Sequence, residues 1–368
     1  MENTNINIPA ATVDGFIETL AQVYTAALKA GISLKSIPTP FLWGPPGVGK
    51  SEGVRQLAER IEKETGKRVI VTDVRLLLFS PVDLRGVPVA DKNREFTNWL
   101  RPKLFAMDES PDCINILFLD ELSAAPQSVQ AAAYQICLDR TVGEHRLPDN
   151  CIVIAAGNRT TDRSVSYKMP KALCNRLMHM LIEPDYDAWK LWALNNGIDS
   201  RIVGYLAFDN SRLCAEPESS DIAYPTPRSW SFVSNLLKTV QGSVEQAHLL
   251  IASCVGVDTA LGFEEWCKIY DDLPAVEEIL AGRCRQYPKK HDALFALTSS
   301  LSAALFQKKE RLTDAEIHNV CAYALRFPPD FATTLFSDLN RDESIRLKLM
   351  SSRLFGDWLK RNKDFIVS

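Results

Sequence analysis

The apolar positions along the chain follow two regimes. Up to about residue 184, short continuous apolar runs alternate with segments of helical period; beyond it the helical period continues almost alone. Phe41-Leu42-Trp43, the run from Arg68 to Val74, Ile114 to Leu119 and Cys151 to Ala156 read as strands. Continuous apolar runs are what a parallel sheet covered on both faces requires. Between them, Val13 to Leu28 is amphipathic, and Ser51 to Glu64 sets Val54, Leu57, Ala58 and Ile61 on one helical face. Val129 to Leu138 continues a further helix, with Pro126 suited to its first turn. Strand, glycine-rich loop, helix and strand together make a βαβ unit. In the second regime, Trp189 and Trp192 with Leu191 and Leu194 predict core contacts. Thr313 and Glu316 have capping-box spacing and open a helix through Leu325, and Lys289-Lys290-His291 reads as a solvated helix start.

The loop after the first of these strands is Gly44-Pro45-Pro46-Gly47-Val48-Gly49-Lys50-Ser51, a full match to G-x-x-x-x-G-K-[ST]. Glycines let the backbone turn its N–H groups inward on a phosphate, and the following helix aims its positive end at the same anion. Lys50 would reach the β- and γ-phosphates, and the Ser51 hydroxyl would ligate magnesium. The run Ile114 to Leu119 delivers Asp120 and Glu121 at its C-terminal end, where ligands of open α/β sheets bind. Asp120 would hold the magnesium shell, and Glu121 would orient and deprotonate the attacking water. Guanine is commonly read by N-K-x-D, and Asn362-Lys363-Asp364 is not a match, so adenine, and hence ATP with Mg2+, is the expected ligand.

Around these motifs, residues of about 38 to 235 resemble the AAA+ superfamily, and within it the MoxR-like, dynein-related branch. Ala155-Ala156-Gly157-Asn158-Arg159 looks like the sensor 1 motif, with Asn158 helping Glu121 to hold the lytic water. Met169 to Arg176 resembles the stretch whose arginine enters a neighbour's site; Arg163 competes with Arg176 for that role. Pro225-Thr226-Pro227-Arg228-Ser229-Trp230 resembles the sensor 2 motif of a helical lid, in which Arg228 would touch the γ-phosphate. Pro81 to Gly86 with the polar stretch to Trp99 looks like the branch's insert, and Thr141 to Pro148 like the hairpin before sensor 1. Leu100-Arg101-Pro102 departs from the commonest MoxR pattern, which has a glycine-proline pair there.

Periodicity and resemblance together give a P-loop NTPase core with an N-terminal helix and a parallel sheet at 1–184 and a helical lid at 185–265; the C-terminal helical extension at 266–368 rests on the helical period alone and lies outside the resemblance. The resemblance implies a homo-oligomeric ring, a hexamer, that remodels or matures a protein partner, which in this branch often carries a von Willebrand A domain. A trans-acting arginine requires a head-to-tail interface that closes. Two alternatives stay open: a nucleic-acid or defence motor, and a switch that binds ATP to assemble without hydrolysing it.

Composition trims these options. The 368 residues are 46% hydrophobic and 24% charged, with Lys+Arg 42 against Asp+Glu 46 and a net charge of -4. That balance fits globular domains with a core and disfavours a non-specific nucleic-acid binder. The basic residues of the insert, Arg85, Lys92, Arg94, Arg101 and Lys103, are diluted by Asp83, Asp91 and Glu95. Nine scattered cysteines without C-x-x-C spacing read as reduced thiols, and the first residues, MENTNINIPA, carry no secretory pattern. No apolar stretch approaches the ~20 residues of a membrane span. A soluble, cytoplasmic protein is expected.

Overall fold

The computed structural model describes residues 7–159, 167, 169, 171–218, 221–240 and 244–362. The chain divides into two compact units, Met1–Pro184 and Asp185–Ser368.

The first unit is built on a six-stranded, wholly parallel sheet in the order β1-β10-β2-β9-β6-β3. The strands are β1 (Ala10–Ala11), β2 (Pro40–Trp43), β3 (Arg68–Arg75), β6 (Cys113–Asp120), β9 (Cys151–Gly157) and β10 (Met178–Ile182). The central strands alternate sides, as pleating demands. Leu42, Ile116, Phe118 and Ile154 join one cluster with Phe16 and Leu20 of α1 (Val13–Ala30) and Val54, Leu57 and Ile61 of α2 (Lys50–Thr65). Phe41, Leu117, Leu119 and Val153 join the opposite cluster with Leu84 of α3 (Pro81–Arg85) and Val129 and Ala133 of α4 (Gln127–Asp139). Each fully buried Leu, Ile or Phe here contributes roughly 1.5–3 kcal/mol. Helices on both faces of a parallel sheet leave one place for polar ligands, the carboxyl edge of the strands.

Two small hairpins decorate this core. One pairs β4 (Val87–Ala90) with β5 (Thr97–Leu100), directly after α3, and the other pairs β7 (Thr141–Val142) with β8 (His145–Arg146). They occupy the two stretches read as inserts. The four-residue helix α5 (Lys171–Cys174) precedes β10. Sequence reading missed β10: Met178-His179-Met180-Leu181-Ile182 is short and its apolar run is interrupted by a histidine.

The second unit contains no strand among its described residues. Its helices are α6 (Tyr186–Asn195), α7 (Ser200–Phe208), α8 (Pro227–Thr239), α9 (His248–Val255), α10 (Val257–Cys267), α11 (Val276–Leu280), α12 (His291–Lys308), α13 (Asp314–Ala324), α14 (Pro329–Asn340), α15 (Glu343–Ser351) and α16 (Arg353–Arg361). One hydrophobic cluster runs from Trp189 to Trp358, with Trp189 and Leu194 buried in it and Leu191 and Trp192 packed against it. The helix α10 crosses position 265, and its Phe263, Trp266 and Cys267 all belong to that same cluster. Thr313 and Glu316 do form the capping box of α13, and α12 begins at His291. The prolines of the 224–229 segment open a helix: Thr226 caps α8, with Pro227 in its first turn. Among the described residues no disulfide links the cysteines, and no helix is long and apolar enough to cross a membrane.

Candidate active site

The site forms where β2, β6 and β9 end together. The phosphate loop leaves β2 at Gly44, whose N–H is held by Gly157 O of β9 at 3.3 Å. A side chain at Gly44 would put its Cβ 2.6 Å from Ile182 O, so the close strand packing there tolerates only glycine. Gly49 enters α2 at φ 109, a conformation closed to residues with a Cβ. The loop therefore runs directly into the first turn of α2, where a helix's N–H groups have no intrahelical acceptors.

Lys50 is buried at 7% exposure, and its ammonium is fully engaged. Nζ donates to Gly44 O at 2.6 Å, to Pro45 O at 3.0 Å and to Asn158 Oδ1 at 3.1 Å. The lysine thus fixes the loop to the end of β9. Beside it, Ser51 Oγ donates to Asp120 Oδ2 at 2.8 Å, while Asp120 Oδ1 accepts from the backbone N–H of Glu121 at 2.8 Å. Glu121 has φ 59, the left-handed region that residues with side chains rarely adopt. Such conformations persist where surrounding structure imposes them, and they gather at active sites.

A hydroxyl and a carboxylate sharing a proton across 2.8 Å are both hard oxygen donors, the set a magnesium ion takes. The donors fit: the two oxygens already stand at hydrogen-bond distance, so one ion in place of the shared proton would have both as ligands. Asp73, on the outer strand β3, stands near Asp120; burial first, and then the Asp120 charge, hold its carboxyl above the usual carboxylate range. A cleft of about 350 Å3 leaves Ser51 along α2, between Arg55 and Glu59 of that helix and Val71, Asp73 and Phe118 of the sheet.

Sequence reasoning missed Ser123. Its buried hydroxyl accepts from Asn158 N and donates to Asn158 O, both at 2.9 Å, and Leu122 N donates to Ala156 O at 2.9 Å. The segment after Glu121 is thereby bonded to the segment holding Asn158, so the two are positioned as a pair. Only the small polar residue two places beyond Glu121 hints at this in the sequence.

The structure thus gathers Lys50, Ser51, Asp120, Glu121 and Asn158, and the loop Gly44, Pro45, Pro46, Gly47, Val48 and Gly49 around them. Arg176, on the exposed turn between α5 and β10, does not enter these hydrogen bonds. Arg228 belongs to the second unit, exposed in the first turn of α8. Arg163 lies outside the described residues.

Residues 40–179 match the model of the ATPase family associated with various cellular activities (AAA). No curated protein matches the sequence. Among solved structures the chain is similar to PCH-2 of C. elegans, at 16% identity with 70% of each chain covered and a TM-score of 0.36. It is also similar to the HORMA:CdnC:Trip13 complex of E. coli MS115-1, at 14% identity, 69% of this chain and 87% of that chain, and a TM-score of 0.37. A mutant of Thermotoga maritima RuvB gives 16% identity, 81% and 88% coverage and a TM-score of 0.31. These overlaps are loose.

Proposed function

We propose that this chain is a magnesium-dependent ATPase of the AAA+ kind, acting in a ring of identical subunits to remodel or mature a protein partner. The observation that carries the reading is the convergence of Ser51 with Asp120 and of Lys50 with Asn158 at one strand edge.

Each residue then has a chemical task. The loop N–H groups and Lys50 bind the phosphates, which take the place of the carbonyl partners Lys50 now holds. Ser51 and Asp120 would hold magnesium, which on binding neutralises phosphate charge. Glu121 accepts the proton of the attacking water, and Asn158, fixed through Ser123, orients that water. Arg176 and Arg228 would supply cations to the transferring phosphoryl group, the first from the neighbouring subunit. The hairpins at the two insert stretches and the capped helix that carries Arg228 support the MoxR-like branch, and with that branch come, from the resemblance alone, a hexameric ring, a cytoplasmic setting and a von Willebrand A partner.

The test is phosphate release by the purified chain with ATP and magnesium, followed by capture of partners on a Glu121→Gln trap. Turnover absent in Lys50→Ala and dependent on magnesium supports the reading. Release that never exceeds the Lys50→Ala blank sinks it.

A further inference from the structure

Strand β2 carries Trp43 immediately before the phosphate loop, and its neighbour β10 carries His179 three residues after Arg176. The two rings stack at 6.0 Å between centroids, and His179 also packs on Phe41 at 5.9 Å. Trp43 Nε1 lies 2.9 Å from His179 Nδ1, and His179 Nε2 lies 2.8 Å from Cys174 O.

These partners fix the ring's state. An indole N–H only donates and a carbonyl only accepts. His179 must therefore accept at Nδ1 and donate from Nε2, which is the neutral Nε2–H tautomer. Cys174 O also accepts from Leu177 N at 3.3 Å, and Asn175 N reaches back to Lys171 O at 3.3 Å. The turn bearing Arg176 is closed by those two backbone bonds and anchored to the sheet by the imidazole. On the other side, Trp43 is one residue from Gly44, whose carbonyl Lys50 holds and whose N–H is held by β9.

We propose that His179, held in one tautomer by Trp43, is a positioning residue for Arg176: it ties the exposed turn that presents the arginine to the strand that feeds the phosphate loop. Arg176 is exposed on a turn that follows a four-residue helix, and so short a helix gives it little stiffness of its own. A hydrogen-bonded ring stacked between two strands supplies that stiffness. This inference rests on the reading of Arg176 as a catalytic cation.

The experiment is a double-mutant cycle on full-length protein, read as single-turnover rate and as ATP dissociation constant. Trp43→Phe keeps an aromatic ring and deletes only the donor. Losing one hydrogen bond that aims a catalytic group should slow turnover roughly three- to tenfold, with ATP affinity within about twofold of wild type. In an Arg176→Ala background the same change should cost nothing further, because Trp43 acts through the arginine it no longer aims. Multiplying losses, or a weakened ATP affinity that accounts for the slower rate, would overturn the tie by showing that Trp43 acts on its own phosphate loop. His179→Phe, which keeps a ring on Phe41 and deletes both hydrogen bonds, must reproduce the non-additivity if Trp43→Phe melts at a lower temperature. Full turnover in Arg176→Ala alone would show that the arginine reading itself is wrong, and the inference falls with it.

Discussion

Ser51 Oγ donates to Asp120 Oδ2 at 2.8 Å, so a residue in the first turn of the phosphate-loop helix is bonded directly to the carboxylate that ends β6. The two would share a metal only by giving up this bond. Ser51→Ala should therefore bind ATP without magnesium as wild type does, yet lose the extra stabilisation that magnesium brings. Wild type should gain about 2.7 kcal/mol with Mg-ATP at a hundred times its dissociation constant. Thermal melts with ATP, with and without magnesium, decide the matter; an undiminished magnesium effect in Ser51→Ala excludes the hydroxyl as a ligand.

Glu121 holds φ 59 with a side chain attached, which costs roughly 1–2 kcal/mol over glycine. If the strain is kept for chemistry, removing it should raise stability and lower activity together. Glu121→Gly should unfold at higher denaturant, by about 1 kcal/mol, while turnover drops. Glu121→Gln keeps the strain and the shape but takes no proton, so its rate should fall about 10² to 10⁴-fold with ATP affinity intact. Steady-state phosphate release and denaturant midpoints check both; an active Glu121→Gln would move the role of base to another residue.

Most of the site was legible because its chemistry is local. The loop from Gly44 to Ser51 is one unbroken segment, and Asp120 and Glu121 end an apolar run that could only be a central strand. The contacts that assemble the site are not local. Asn158 reaches Lys50 across a sequence gap that only the β2–β9 pairing closes, and Ser123 looks like any small residue until Asn158 folds onto it. Strand β10 was hidden for a related reason: its five residues are held by pairing with β2, and that pairing leaves no trace in periodicity. In the helical unit the period placed Trp189 and Leu194 in the core, but not the single cluster that runs through α10.

Under the proposed function either Arg176 or Arg163 would serve the neighbouring subunit, and a mixing experiment separates them. Arg176→Ala should bind ATP normally and lose roughly 10³ to 10⁵ in rate, because the transition-state charge lacks its cation. Subunits carrying Glu121→Gln still offer an intact arginine, so mixed rings should regain part of the activity that neither parent has. Native mass spectrometry must first show that subunits exchange, and a dilution series with wild type covers the case of a ring that fires only when every site is whole. Exchange without recovery would place Arg176 outside the neighbour's site, and Arg163→Ala, run beside it, takes up the question.

In the helical unit, Lys190 Nζ sits 2.7 Å from Asp338 Oδ2, linking α6 to α14 with both residues under 10% exposed. Ser302 Oγ of α12 donates to the same Asp338 oxygen at 3.0 Å, and the ammonium lies 5.9 Å from the Tyr186 ring. An ion pair this deep gives back in attraction much of what its desolvation costs, so its net worth is small while its completeness matters greatly. Lys190→Met fills the same space but leaves the Asp338 charge with one hydroxyl as its partner, which should cost about 3–5 kcal/mol. Lys190→Met combined with Asp338→Leu leaves no buried charge, and should recover most of that loss or exceed wild type. The chain has two units, so the melts should be followed by signals from both and fitted without assuming one transition. A single mutant as stable as the double would mean that water reaches Asp338, and that α6, α12 and α14 are joined by packing alone.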